Sequence, residues 1–253
     1  MLRAMPTTPL IATKTERRWK QRRRTSGCLL AAGLLALAVA CGDSGGDAPS
    51  RSVGPADGAT LVELYRAGRF DEAIPLLEQQ IADAERESGA DSLAVAQALN
   101  NLGVVSMAAG LPDHAEPLLQ RALEIREARA GMTSAATATT VANLAELYEG
   151  QARFERSLAT WRRLQGIEAM LLPPEAAEHA LTWTAIGRVE EALGQPAKAF
   201  AAYSQALALD QAIFGAEHPA VVADLRALAS AQRAAGEVEA AEALEARADA
   251  LTP

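Results

Sequence analysis

Few side chains in this 253-residue sequence could do covalent or metal chemistry. The two cysteines, Cys28 and Cys41, stand near the N-terminus, so the rest of the chain can hold no internal disulfide, thiolate nucleophile or cysteine-bound metal. The three histidines, His114, His179 and His218, lie far apart in sequence, whereas a metal needs ligands that converge on one point. Glu175 and the Glu178-His179 pair lack the spacing of a helical metalloprotease motif. No glycine-rich phosphate loop or nucleophile elbow occurs. These residues point away from an enzyme, a metal and a cofactor, and leave recognition chemistry. Asn101 and Asn143 stand 42 residues apart. A side-chain amide both donates and accepts, which suits it to a peptide bond. Asparagine is mildly unfavourable within a helix and asks for a reason, either a ligand or a bond to a neighbouring helix or water. Arg188 and Arg226 follow, with Gln97, Glu146, Glu149, Glu191 and Arg233 at related positions. Their acids come early and Arg226 and Arg233 late, which reads either as a polarised binding strip or as solvated helix faces with local ion pairs.

The spacing of the asparagines is the spacing of the whole chain. Gly68, Gly110, Ala152, Gly194 and Gly236 are each 42 apart, and five residues after each comes Ala73, Ala115, Ser157, Ala199 or Ala241. Self-similarity at such a period marks stacked repeats, each a supersecondary unit that buries its apolar face only against its neighbours. In the second unit, Leu99, Leu102, Val105 and Met107 recur at helical spacing up to Gly110, a helix stop. Pro112 stands where a second helix begins, and Leu118, Leu119, Ala122 and Ile125 continue that helix. Ala152 replaces the stop glycine in the third unit and predicts a strained or rearranged turn. Asp57 or Thr60 can cap the first helix. Trp161, Trp183 and Tyr203 fall at core positions. In the last helix Ala241, Leu244, Ala248 and Leu251 share one face and the acids lie elsewhere, as a solenoid end requires. Apolar residues make up 49% but aromatics only 4%, which fits helices packed closely on alanine.

Leu-Asn-Asn-Leu-Gly103, Ala-Gly-Leu-Pro-Asp-His-Ala-Glu-Pro-Leu-Leu119 and Arg-Ala-Leu-Glu-Ile-Arg-Glu127 closely resemble tetratricopeptide repeats. The 42-residue period, with Phe214-Gly-Ala-Glu-His-Pro219 between units, resembles the kinesin light chain variety. The resemblance covers residues 58–253 and implies an all-α, right-handed superhelical solenoid of about five helix-turn-helix repeats. It also implies that the first helices of successive units line a concave groove for a partner segment. In relatives an asparagine two positions before the small residue bonds the ligand backbone, which assigns that role to Asn101 and Asn143. Ala185 and Ala227 depart from the pattern.

The formal charge of −8 combines +7 in residues 1–40 with −15 in the remainder. An acidic body without a basic patch argues against a nucleic-acid partner. The basic stretch to Arg24 is followed by 13 largely apolar residues, Cys28 to Ala40, too few to span a bilayer, which takes about 20. A basic region, a short apolar core and small residues before a break form an export signal. Ala38-Val39-Ala40-Cys41 resembles the lipobox of bacterial lipoproteins, which implies cleavage before Cys41 and lipid attachment to it. Ala38 and Ala40 also suit an ordinary signal peptidase, which would release a soluble form. Residues 42–57, rich in Gly, Ser, Asp and Pro, form a flexible tether reaching on the order of 20–25 Å. The domains expected are a signal at 1–40, a tether at 41–57 and a repeat domain at 58–253. The expected function is a non-catalytic scaffold, lipid-anchored in a bacterial envelope, with a protein or peptide partner and no small-molecule substrate. The alternatives are an assembly factor for pilus or outer-membrane machinery and a regulator of a cell-wall enzyme.

Overall fold

A computed structural model describes residues 58–252, which form ten α-helices and no strands. The helices are α1 (Gly58–Arg66), α2 (Phe70–Ser88), α3 (Leu93–Ala109), α4 (Pro112–Ala130), α5 (Ala135–Gly150), α6 (Phe154–Leu171), α7 (Ala177–Ala192), α8 (Pro196–Phe214), α9 (Pro219–Ala234) and α10 (Val238–Ala250). Each packs chiefly on its neighbours in sequence, so the pairs α1–α2 through α9–α10 stack as successive units. The expected signal, Cys41 and the tether lie outside the described residues. No described helix is long and apolar enough to cross a membrane.

The turn inside each unit repeats one hydrogen-bond pattern. In the second unit Gly110 takes φ 79° and ψ 30°, its N–H donates to the Met107 carbonyl at 3.1 Å, and the Leu111 N–H reaches Ser106 O at 2.9 Å. Left-handed backbone stops the helix, and glycine adopts it without the Cβ penalty. Pro112 then opens α4 at a position whose N–H has no helical partner to lose. Ala152 shows strain without rearrangement. It has φ 59°, the only positive φ outside glycine among the described residues. Its hydrogen bonds, Ala152 N–H to Glu149 O at 3.0 Å and Arg153 N–H to Tyr148 O at 2.9 Å, reproduce the glycine pattern. A side chain there costs on the order of 1–2 kcal/mol.

Three first helices, α3, α5 and α9, are capped by a side chain of the preceding loop, and α7, after Ala176, is not. Ser92 accepts from the Val95 N–H at 3.3 Å and Ser134 from the Thr137 N–H at 3.1 Å. Thr60 does not cap the first helix, because α1 already runs from Gly58; Asp57 lies outside the described residues.

Small residues let the two helices of a unit approach. Ala73, Ala115, Ser157, Ala199 and Ala241 are all fully buried. A Cβ added at Gly103 would lie 2.7 Å from Leu119 Cδ2, and one at Gly187 would lie 2.5 Å from Tyr203 Cε1. Tyr203 and Trp161 are buried, and Trp183 packs half-buried on the same core as Trp161. In α10, Ala248 is buried with Val221 and Leu225 while Leu244 and Leu251 pack against them, and Glu237, Glu239 and Glu242 are exposed. α10 thus pairs an apolar inner face with a polar outer one.

Candidate protein-binding face

Side chains on the first helices meet one another directly along the stack. Arg188 of α7 reaches Glu149 of α5 with two bonds, Nε to Oε1 at 3.1 Å and Nη2 to Oε2 at 2.9 Å. Ser230 of α9 donates to Glu191 Oε1 of α7 at 2.6 Å, and the Tyr203 hydroxyl of α8 donates to the other oxygen at 3.1 Å. Glu146 stands half-buried beside this row, and burial pushes its carboxyl up to about 8, with Arg188 opposing and Glu149 reinforcing the shift. Positions 146, 188 and 230, like 149, 191 and 233, are related by the 42-residue step, so the stack itself lines them up.

The expected site residues divide between this row and its supports. Arg188 belongs to the row, half-buried and paired with Glu149. Arg226 on α9 is exposed and reaches Asp249 at 3.3 Å. Arg233 binds Glu245 through two bonds, at 2.7 and 2.9 Å. Asn101 on α3 is half-buried and accepts from Gln97 Nε2 at 2.8 Å, within its own helix. Asn143 on α5 is 5% exposed and donates to Asn100 Oδ1 at 2.9 Å. In this state its amide ties one first helix to the next. The three histidines serve separate local contacts. His114 Nδ1 lies 2.9 Å from Ser106 Oγ, His179 Nε2 lies 3.1 Å from Pro173 O, and His218 Nδ1 accepts from the Ala220 N–H at 3.2 Å. Among the described residues no group of three potential ligands could hold a metal.

Two residues of this network escape a reading of the sequence. Asn100, 1% exposed, accepts from Asn143 and, at 3.3 Å, from the Thr140 hydroxyl. Arg126, 3% exposed, donates to Thr140 Oγ1 at 2.5 Å, to Ala136 O at 2.7 Å and to Gln97 Oε1 at 2.6 Å. Burial lowers its guanidinium to about 10, so it still carries its charge at neutral pH. The sequence signal for Arg126 was its register with Glu168 and Asp210 at the 42-residue step. Asn100 has none, since nothing in a run of two asparagines says which one turns inward.

Paired helices closed by left-handed turns and stacked through small residues define an all-α repeat solenoid. The tetratricopeptide repeat profile matches residues 62–128, 95–164 and 178–250, and the chain belongs to this family. Solved structures agree on the fold. A kinesin light chain-like repeat protein of Podosopora anserina superposes with a TM-score of 0.70 at 21% identity, over 76% of this chain and 92% of that one. BtubC (BKLC) of P. vanneervenii gives 0.71 at 18% identity, over 94% and 91% of the two chains. MamA gives 0.55 at 18% identity, over 76% and 93%. No curated protein matches the chain. Tetratricopeptide solenoids are typical of protein-interaction scaffolds and are generally non-enzymatic.

Proposed function

We propose that this chain is a membrane-hung scaffold that holds a segment of a partner protein against the row of first helices. The observation that carries the reading is the in-register polar row of α5, α7 and α9, continued by Asn101 on α3 and by the exposed Arg226. Its groups alternate acid, arginine and hydroxyl, so a partner backbone would find both donors and acceptors along one line. Asn101 and Arg226 offer the most accessible contacts. Arg188 would exchange part of its Glu149 pairing for the ligand, and Asn143 would contribute through its hold on Asn100.

The anchoring part of the reading rests on the basic stretch before Arg24, the short apolar run and Cys41. Lipid on Cys41 and the tether at 41–57 would leave the solenoid beside an envelope membrane, free to turn toward its partner. Two experiments test the two parts separately. Cys41→Ser is expected to move the protein from the membrane to the soluble fraction; an unchanged membrane fraction contradicts the anchor. Asn101→Ala with Arg226→Ala is expected to lower recovery of the cross-linked partner severalfold at unchanged helicity; undiminished recovery would move the interface off this face. A deletion that disturbs surface structures but spares cell-wall synthesis would point to an assembly role for the complex, and the converse to enzyme regulation.

A further inference from the structure

Three successive unit interfaces carry a polar pair at the same place. The second-helix member is Arg126, Glu168 or Asp210, and the first-helix member fourteen residues later is Thr140, Thr182 or Asp224. All six are buried. In the first interface Arg126 donates to Thr140 Oγ1 at 2.5 Å, and in the second Thr182 Oγ1 donates to Glu168 Oε1 at 2.9 Å. Each of these pairs has its own donor. In the last interface both members are carboxylic acids, 8% and 4% exposed, at the positions where the other two pairs are hydrogen-bonded, and each acts on the other's titration.

Two carboxylates cannot bond each other unless one of them keeps a proton. Asp224 Oδ2 is buried and has no donor among the described residues. The Thr184 hydroxyl of α7 faces Asp224 but also donates to Ala180 O at 2.9 Å. His218, from the α8–α9 loop, acts on Asp210 by its charge alone, while its ring stacks on Phe214 at 4.4 Å and its Nδ1 accepts from the Ala220 N–H at 3.2 Å. No lysine or arginine pairs with either carboxyl among the described residues; the nearby Arg226 of α9 turns to Asp249 of α10. We propose that Asp210 and Asp224 share one proton and so form a pH-sensitive latch that docks the last unit, α9–α10, onto α8.

Among the described residues α9–α10 packs chiefly on α8, so it can open without unfolding the preceding units. Burial first, then the charge of Asp210, push the Asp224 carboxyl up to about 7 from an ordinary 3.8. Burial raises Asp210 as well, against the opposing effects of Asp224 and His218. An acid whose folded value is raised holds its proton more tightly when docked. Docking is therefore strongest below about pH 4 and weakens as pH climbs through about 7. Above that, two charges occupy one buried interface. Arg226, Ser230 and Arg233 all ride on α9, so the latch would govern one end of the binding face.

Glu146 and Glu168, raised by burial to about 8 and about 7, weaken other parts of the stack over an overlapping range, so a test must be local. Aspartate carboxyl carbons of the labelled full-length chain can be followed by NMR from pH 4 to pH 9. Amide-exchange protection of residues 219–250, corrected for intrinsic rates, can be compared with that of 93–130. One carboxyl of the pair should titrate near neutrality. Opening of α9–α10 should rise on the order of a hundredfold from pH 5 to pH 8, tenfold being the least the latch allows. Asp210→Asn with Asp224→Asn should remove that rise from α9–α10 and leave the response of α3–α4 unchanged. Two carboxyls that both titrate below pH 5, or a doubly substituted chain with the wild-type rise, would overturn the latch. If the double variant fails to fold, the wild-type carboxyl titration alone decides.

Discussion

Ala152 and Asn100 show how much one side chain decides in this array. Ala152 holds φ 59° in a turn whose equivalents are glycine, with the same hydrogen bonds, and a Cβ at the equivalent Gly68, Gly194 or Gly236 would meet nothing within 4 Å. Ala152→Gly is therefore expected to stabilise the protein by about 1 kcal/mol, read from the midpoint of chemical denaturation at unchanged slope. The gain is the left-handed penalty less the extra freedom that glycine has in the unfolded chain. The two neighbouring asparagines should behave in opposite ways. Asn100→Ala leaves the Asn143 amide without its acceptor in a buried site, while the Thr140 hydroxyl keeps only Ala136 O at 3.4 Å, at a cost of about 1–3 kcal/mol. Asn101→Ala removes a half-exposed bond within one helix and should change stability by about 0.5 kcal/mol or less. If the two cost the same in denaturation, Asn100 is not the hub described. The strain at Ala152 was legible in the sequence because a glycine register makes its own exception visible. The inward turn of Asn143 was not, since the 42-residue step puts it in line with Asn101 while its hydrogen bond runs to the residue beside Asn101.

At the scale of the element, what matters is how closely a first helix can approach its partner. Gly103 against Leu119 and Gly187 against Tyr203 leave no room for a methyl group. Gly187→Ala gains helix propensity but forces the ring of a buried tyrosine to move, and overpacking of this kind costs about 1–3 kcal/mol. Gly166, which has open space where its Cβ would be, offers the control: Gly166→Ala should stabilise α6 by up to about 1 kcal/mol. Thermal unfolding of the two variants should therefore shift in opposite directions. Helix existence, order and stops could be read from the repeating stop residues and apolar spacing, because those properties depend on local sequence. The place of Thr60 inside α1 could not, since it carries a cap-like pattern that the helix simply includes. Nor could the polar pairs between units be foreseen as pairs, because their members lie on different helices and meet only when the units stack.

For the molecule as a whole, stacking turns a sequence period into a surface. Arg188 with Glu149, and Ser230 with Glu191, join first helices across unit boundaries, so the candidate face is continuous only while neighbouring units stay docked. The same geometry leaves the arginines of the strip already paired, with Glu149, Asp249 and Glu245. A partner must exchange those ion pairs to use them, which favours recognition spread over many modest contacts. The sequence period made the scaffold legible, whereas the pairing of each arginine depends on side-chain reach between units and had to come from the structure. Site-specific photo-cross-linking in the full-length chain tests the binding face most directly. A photoreactive residue at exposed Arg226 or Ser230 on α9 is compared with one at exposed Lys198 or Gln205 on α8. A discrete adduct with one partner protein is expected from the α9 positions and none from α8. Adducts from α8 alone, or from both helices alike, would contradict a binding face built on the first helices.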